Sequence, residues 1–178
     1  MSEQTSANED PGLYAAEGYC VQRGLFSPAE LVALRRSLER MIEELPADRR
    51  LESLVEPHIR AADWRTWLEL ARDERLLDAA GGALGSSELL LLSTHLLVKQ
   101  PRDGLALCWH QDNTYWPGVT GGEVCTAWLA IDDSDLENGC MKVIPRTHSG
   151  YPELEMVPTR GGDLLGVEVE VSAGMESG

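Results

Sequence analysis

Trp109-His110-Gln111-Asp112 is the segment of this chain whose residue types and spacing best suit chemistry. Side chains two apart on an extended backbone project to the same side, so His110 and Asp112 can offer an imidazole nitrogen and a carboxylate oxygen to one metal ion. A second histidine would complete the facial triad that holds non-heme iron(II) on one face and leaves the opposite positions open. The tripeptide also arises by chance in chains of this composition, and by itself a solvated loop pair is the plainer reading. Its neighbourhood decides between the two.

Downstream the chain reads His110-Gln111-Asp112-Asn113-Thr114-Tyr115-Trp116, then Thr126-Ala127-Trp128-Leu129-Ala130-Ile131-Asp132-Asp133, then Glu137-Asn138-Gly139-Cys140-Met141-Lys142-Val143-Ile144-Pro145-Arg146-Thr147-His148. Upstream, Lys99 closes the run Leu96-Leu97-Val98-Lys99. This ordered series, from Leu89 to Gly150, resembles the phytanoyl-CoA dioxygenase family of iron(II)- and 2-oxoglutarate-dependent oxygenases.

The resemblance implies that His110 and Asp112 are the first two iron ligands and that Lys99, Gln111 and Trp128 belong to the 2-oxoglutarate pocket. Each residue type suits its part: an ammonium is a point charge for a carboxylate, an amide can donate to an oxygen, and an indole offers a flat wall with one donor. Tyr115 and Trp116 would shape the mouth of a substrate pocket, with ordinary core packing an equal alternative. His95 could face the same pocket, since His95, Leu97 and Lys99 share one side of a regular strand; a hydrogen-bonded core histidine is its plainer reading. His148, in Pro145-Arg146-Thr147-His148, matches a segment that is structural in the family, and His58 beside Pro57 is uninformative. The implied reaction is hydroxylation of a small organic substrate. Related halogenases replace the carboxylate ligand by a small residue, and here Asp112 is retained.

Relatives carry a distal histidine ligand and an arginine for the far carboxylate of 2-oxoglutarate well downstream of the His-x-Asp motif. No histidine follows His148 here, and Arg160 is the last arginine. The expectation is a C-terminally incomplete site that binds iron weakly and lacks turnover, with unpaired strand edges and exposed apolar surface. A non-catalytic binding or assembly module on the same fold is the alternative. A cupin-like metal protein of other chemistry would need a different ligand set, and no H-x-H pattern occurs.

The elements that position these residues are expected in two layers. Residues 1–12 are polar and aperiodic and read as a mobile tail; 13–178 reads as one domain, with a helical layer over 27–85 and a β core from 88. Ser27-Pro28-Ala29-Glu30 supplies an N-cap, a proline at the first helical position and a capping-box glutamate. Leu31, Leu34, Leu38, Met41, Ile42 and Leu45 then recur at helical spacing until Pro46. Asp63 and Asp73 are expected to cap helices over Trp64 to Leu70 and Glu74 to Ala80, broken by Gly81, Gly82 and Gly85, with Trp64 and Trp67 as core anchors. Leu89 to Val98, Leu105 to Trp109, Val124 to Ile131, Met141 to Ile144 and Val167 to Val171 read as strands, and Asn138-Gly139 as a turn. The predicted fold class is mainly β with N-terminal helices, an α+β chain whose core is a double-stranded β-helix, or jelly roll.

A length of 178 residues, 43% of them hydrophobic, suits a single core. The formal net charge of −15 disfavours nucleic acid or an anionic membrane as partner and leaves a small molecule as the expected one. No apolar run is long enough for a membrane span and no leader pattern opens the chain, so a cytoplasmic location is expected. Cys20, Cys108, Cys125 and Cys140 form no C-x-x-C pair and read as buried, reduced thiols.

Overall fold

The computed structural model of the chain describes residues 11–46, 51–52, 54–102, 104–116, 118–119, 124–149, 154–159, 161 and 163–171. The polar stretch 1–10, Arg160 and the segment 172–178 lie outside the described residues.

Helix α1, Pro11–Glu17, begins before Leu13, so the helical layer starts earlier than the expected end of the tail. Helix α2, Pro28–Glu43, starts as its sequence dictates. The Glu30 carboxylate accepts from the Ser27 amide at 2.7 Å while the Ser27 hydroxyl accepts from the Glu30 amide, so two otherwise orphaned donors are satisfied together. Its apolar stripe turns inward. Leu34 is buried, and Leu31, Leu38, Met41 and Leu45 pack around a core of Leu34, Leu54, Ala61, Trp67 and Leu96.

After the short strand β1, Leu54–Val55, come α3, Pro57–Arg60, α4, Trp64–Ala71, and α5, Glu74–Leu84. Asp73 caps α5 as expected, with its carboxylate accepting from the Arg75 amide at 3.0 Å. Asp63 does not cap α4. Its backbone, at φ −95° and ψ 43°, departs from the extended conformation a cap residue adopts, and its carboxylate is taken by side chains. The Ser37 hydroxyl donates to it at 2.8 Å, Arg40 at 2.6 Å and the Thr66 hydroxyl at 2.9 Å. Trp67 is a core anchor at 2% exposure, whereas Trp64 is 39% exposed and lies under the Arg65 guanidinium. Nor do Gly81 and Gly82 break α5. The helix runs through them and ends at Gly85, whose left-handed backbone (φ 66°) and the Ser86 amide bond to the Gly81 carbonyl make a glycine-type terminus.

The β half differs from the expected pattern. Strand β2, His95–Leu96, pairs antiparallel with β1 (Leu54 opposite Leu96, Val55 opposite His95). Strands β3, Met156–Pro158, and β4, Val167–Val169, form a second antiparallel pair. Among the described residues, the runs expected as strands over 89–98, 105–109, 124–131 and 141–144 carry only β2 and an isolated parallel bridge from Ala106 to Asp163. A ladder needs a neighbouring backbone, and exposed residues such as Leu90, at 98%, have none against them. The mainly β character and the double-stranded β-helix are therefore not assembled among the described residues, where helices supply most of the regular structure.

Three connections bear on the site. The Val169 amide donates to the Trp109 carbonyl and the Leu164 amide to the Ala106 carbonyl, both at 2.8 Å, so the β3–β4 hairpin flanks the segment leading to His110. Leu129 and Ile131 rest on the helical core, and Asp132 pairs with Arg35 of α2. The α1 end is held by the Arg146 amide to the Glu17 carbonyl at 2.8 Å and by His148 Nε2 to the Ala15 carbonyl at 3.0 Å. Gly18 (φ 83°) follows there, where a Cβ would overlap the His148 ring.

Candidate metal site

The backbone at Gln111 is extended (φ −111°, ψ 123°), so His110 and Asp112 project to one side before Asp112 opens a 3-10 helix, Asp112–Tyr115. His110 Nδ1 donates to the Cys108 carbonyl at 2.8 Å, which directs Nε2 at the carboxylate. His110 Nε2 lies 3.2 Å from Asp112 Oδ1. The other carboxylate oxygen, Oδ2, accepts from the Thr126 hydroxyl at 2.9 Å. Both functional groups are thus anchored on their far sides and face each other on their near sides.

Charge follows this arrangement. His110 is raised above the usual imidazole range, first by Asp112 and then by the Cys108 carbonyl, against burial that opposes the cation. Asp112 is held below the usual carboxylate range, chiefly by His110, with the Thr126 hydroxyl and the nearby His95 adding to it against partial burial. Each group thus favours the charged form of the other, and a proton held between them has His110 Nε2 and Asp112 Oδ1 as its two seats. A divalent cation would take the place of that proton. Two donors at right angles, each about 2.1 Å from one ion, lie about 3 Å apart, and the observed spacing of 3.2 Å fits two of the three positions of a facial triad. Among the described residues no group of three or more His, Cys, Asp or Glu side chains converges on one point.

The other expected site residues are placed as follows. The Tyr115 ring meets His110 edge-on with centroids 6.0 Å apart, and burial, Asp112 and Asp163 push its hydroxyl upward. Trp116 is half-buried just beyond. Gln111 points away from the pair, and its side-chain oxygen accepts from the Leu154 amide at 2.8 Å. Lys99 donates to the Gly139 carbonyl at 2.8 Å and packs against the Asn138-Gly139 turn. Trp128 is 43% exposed. His95, Leu97 and Lys99 do share a side, the exposed one, while Leu96 is buried and Val98 packs on the core. His95 is thus not a buried core histidine. His148 is held on the Ala15 carbonyl, a structural role.

Thr126 is the residue that reading the motif alone passed over. Its signal was parity with Trp128: on an extended segment whose alternate residues Leu129 and Ile131 face the core, Thr126 and Trp128 face away from it. The four cysteines are free, as expected, but only partly buried, and burial raises the Cys108 and Cys125 thiols.

His110 and Asp112, two residues apart, are thus oriented by a backbone carbonyl and a hydroxyl. The chain belongs to the phytanoyl-CoA dioxygenase (PhyH) family, whose model matches residues 14–164. It is similar to phytanoyl-CoA dioxygenase domain-containing protein 1 of Bos taurus, 32% identical over 90 residues, covering 51% of this chain and 31% of that protein. It is also similar to ectoine dioxygenase of Bordetella bronchiseptica, 27% identical over 149 residues, covering 78% of this chain and 48% of that protein. The Danio rerio phytanoyl-CoA dioxygenase domain-containing protein 1 is 27% identical over 214 residues, covering 90% of this chain and 74% of that protein. The chain thus spans about half or less of the length of the bovine and Bordetella relatives. No solved structure matches. Among the described residues no helix is long and apolar enough to cross a membrane.

Proposed function

We propose that this chain carries the iron-binding segment of an iron(II)- and 2-oxoglutarate-dependent dioxygenase that hydroxylates a small organic molecule. The observation that carries this reading is the 3.2 Å approach of His110 Nε2 to Asp112 Oδ1, with each side chain tied on its far side. Iron(II) bound there with 2-oxoglutarate would supply the oxygen activation and the hydroxylating power. The chain's own residues position: the Cys108 carbonyl fixes the imidazole, Asp112 supplies the charged ligand, and Tyr115 bounds the space beside His110. Retention of that carboxylate favours hydroxylation over halogenation. In this reading Lys99 holds a 2-oxoglutarate carboxylate by exchanging its Gly139 carbonyl partner for the anion, and Gln111 and Trp128 complete the pocket. The proposed fold of the core is a double-stranded β-helix, which rests on family membership and not on the two short strand pairs described, and the proposed setting is cytoplasmic; the net charge of −15 supports a small-molecule substrate over nucleic acid.

Two converging ligands, the number found among the described residues, hold a metal weakly, so the chain is expected to bind iron(II) with low affinity and to form no succinate. Anaerobic titration with iron(II) and 2-oxoglutarate should produce the metal-to-ligand absorption band of the chelate, and Asp112→Ala should abolish it. An iron-loaded protein with no band, or a band unchanged in Asp112→Ala, would reject the assignment. The lack of a third converging ligand among the described residues favours one second reading, a non-catalytic binding or assembly module. That reading expects no iron uptake at any concentration.

A further inference from the structure

We infer that Thr126 is a positioning residue that holds Asp112 as a single-oxygen ligand. The inference rests on the iron reading above and extends it to a residue outside the His-x-Asp motif. A carboxylate can bind a metal through one oxygen or both, and the choice sets how many coordination positions are left for small molecules. Here the two oxygens of Asp112 are differentiated before any metal arrives. Oδ1 faces His110 Nε2 at 3.2 Å, whereas Oδ2 accepts the Thr126 hydroxyl at 2.9 Å. A metal drawing on both oxygens would have to compete with that hydrogen bond.

Thr126 is not loosely tethered. Leu129 and Ile131 of the same segment pack on the helical core and Asp132 pairs with Arg35, so the hydroxyl is presented from a strip of chain fixed to α2. The helical layer therefore reaches the site through this segment. His110 is aligned by its near neighbour Cys108, while Asp112 is aligned by a residue from a separate stretch. Hydrogen-bond partners of metal ligands commonly tune affinity in this way.

The test compares the full chain with Thr126→Val, which keeps the shape and removes the donor, and Thr126→Ser, which keeps the donor. Iron(II) is titrated anaerobically, and cobalt(II) is titrated separately as an optical probe whose visible bands respond to its coordination. Circular dichroism confirms that each variant is folded; Thr126 is exposed, so both should be. The expected result is a loss of iron(II) affinity of about 10- to 100-fold in Thr126→Val, largely restored in Thr126→Ser. At saturating metal, an altered cobalt spectrum in Thr126→Val should report recruitment of the second oxygen in exchange for a bound water. Affinity within twofold of the parent, an unchanged cobalt spectrum, or a serine variant as impaired as the valine one would each overturn the inference. A parent chain that binds neither metal would overturn the iron reading and this one with it. Normal metal binding that ignores Thr126 would overturn this one alone.

Discussion

Asp63 offers a test of the helical layer on which the site segment rests. Its carboxylate accepts from Ser37, Arg40 and Thr66, and Ser37 is only 1% exposed. Asp63→Ala would leave the Ser37 hydroxyl buried without its acceptor, which costs about 1–3 kcal/mol, and would remove the Thr66 bond, worth about 0.5–1.5 kcal/mol. The Arg40 pair adds little because Arg40 is more than half exposed. Ser37 can turn its hydroxyl to the Ala33 carbonyl one turn back, which limits the penalty, so a total near 2 kcal/mol is expected. Urea unfolding of Asp63→Ala, Ser37→Ala and the double variant measures it. The double variant should be less destabilised than the sum of the singles by about 1 kcal/mol, because the orphaned hydroxyl is gone. Additive losses would refute the assignment of the cost to Ser37. The pH dependence gives a second check. Ser37 is the first cause holding the Asp63 pKa below its ordinary 3.8, so its contribution is fully present above that value and is lost as pH falls through the lower folded pKa. Asp63→Ala should therefore flatten the acid limb of the stability curve below about pH 4.

Trp67→Ala should cost about 3–5 kcal/mol and Trp64→Ala under about 1, read by chemical denaturation; similar losses would contradict the burial difference. Arg75 and the Ser27 bonds hold Glu30 at about 2 against an ordinary 4.5, so this contribution persists above pH 4.5 and fades toward pH 2. Arg75→Met should return Glu30 toward the ordinary range in an NMR titration, and an unmoved Glu30 would reject the pairing. For the co-substrate, Lys99→Ala and Trp128→Ala should each raise the 2-oxoglutarate requirement of an active protein about 10- to 100-fold with less effect on iron. Unchanged dependence in both would remove them from the pocket.

Some of this was legible without coordinates because the forces involved act within a few residues. The capping box of α2 is a reciprocal exchange across Ser27 and Glu30, and its apolar stripe follows from helical period. The approach of His110 to Asp112 follows from the parity of an extended backbone. Family membership, too, was carried by the order of local motifs. What the sequence could not decide were interactions whose partners lie far along the chain. Asp63 looked like a cap, but three side chains, two of them from α2, took its carboxylate. Trp64 and Trp67 are alike in sequence, and only the packing of α4 chose which one to bury. Lys99 found the Gly139 carbonyl, and Asp112 found Thr126. Strand formation belongs with these cases: an apolar run has β propensity by itself, but its backbone donors and acceptors become a ladder only when another strand lies beside them.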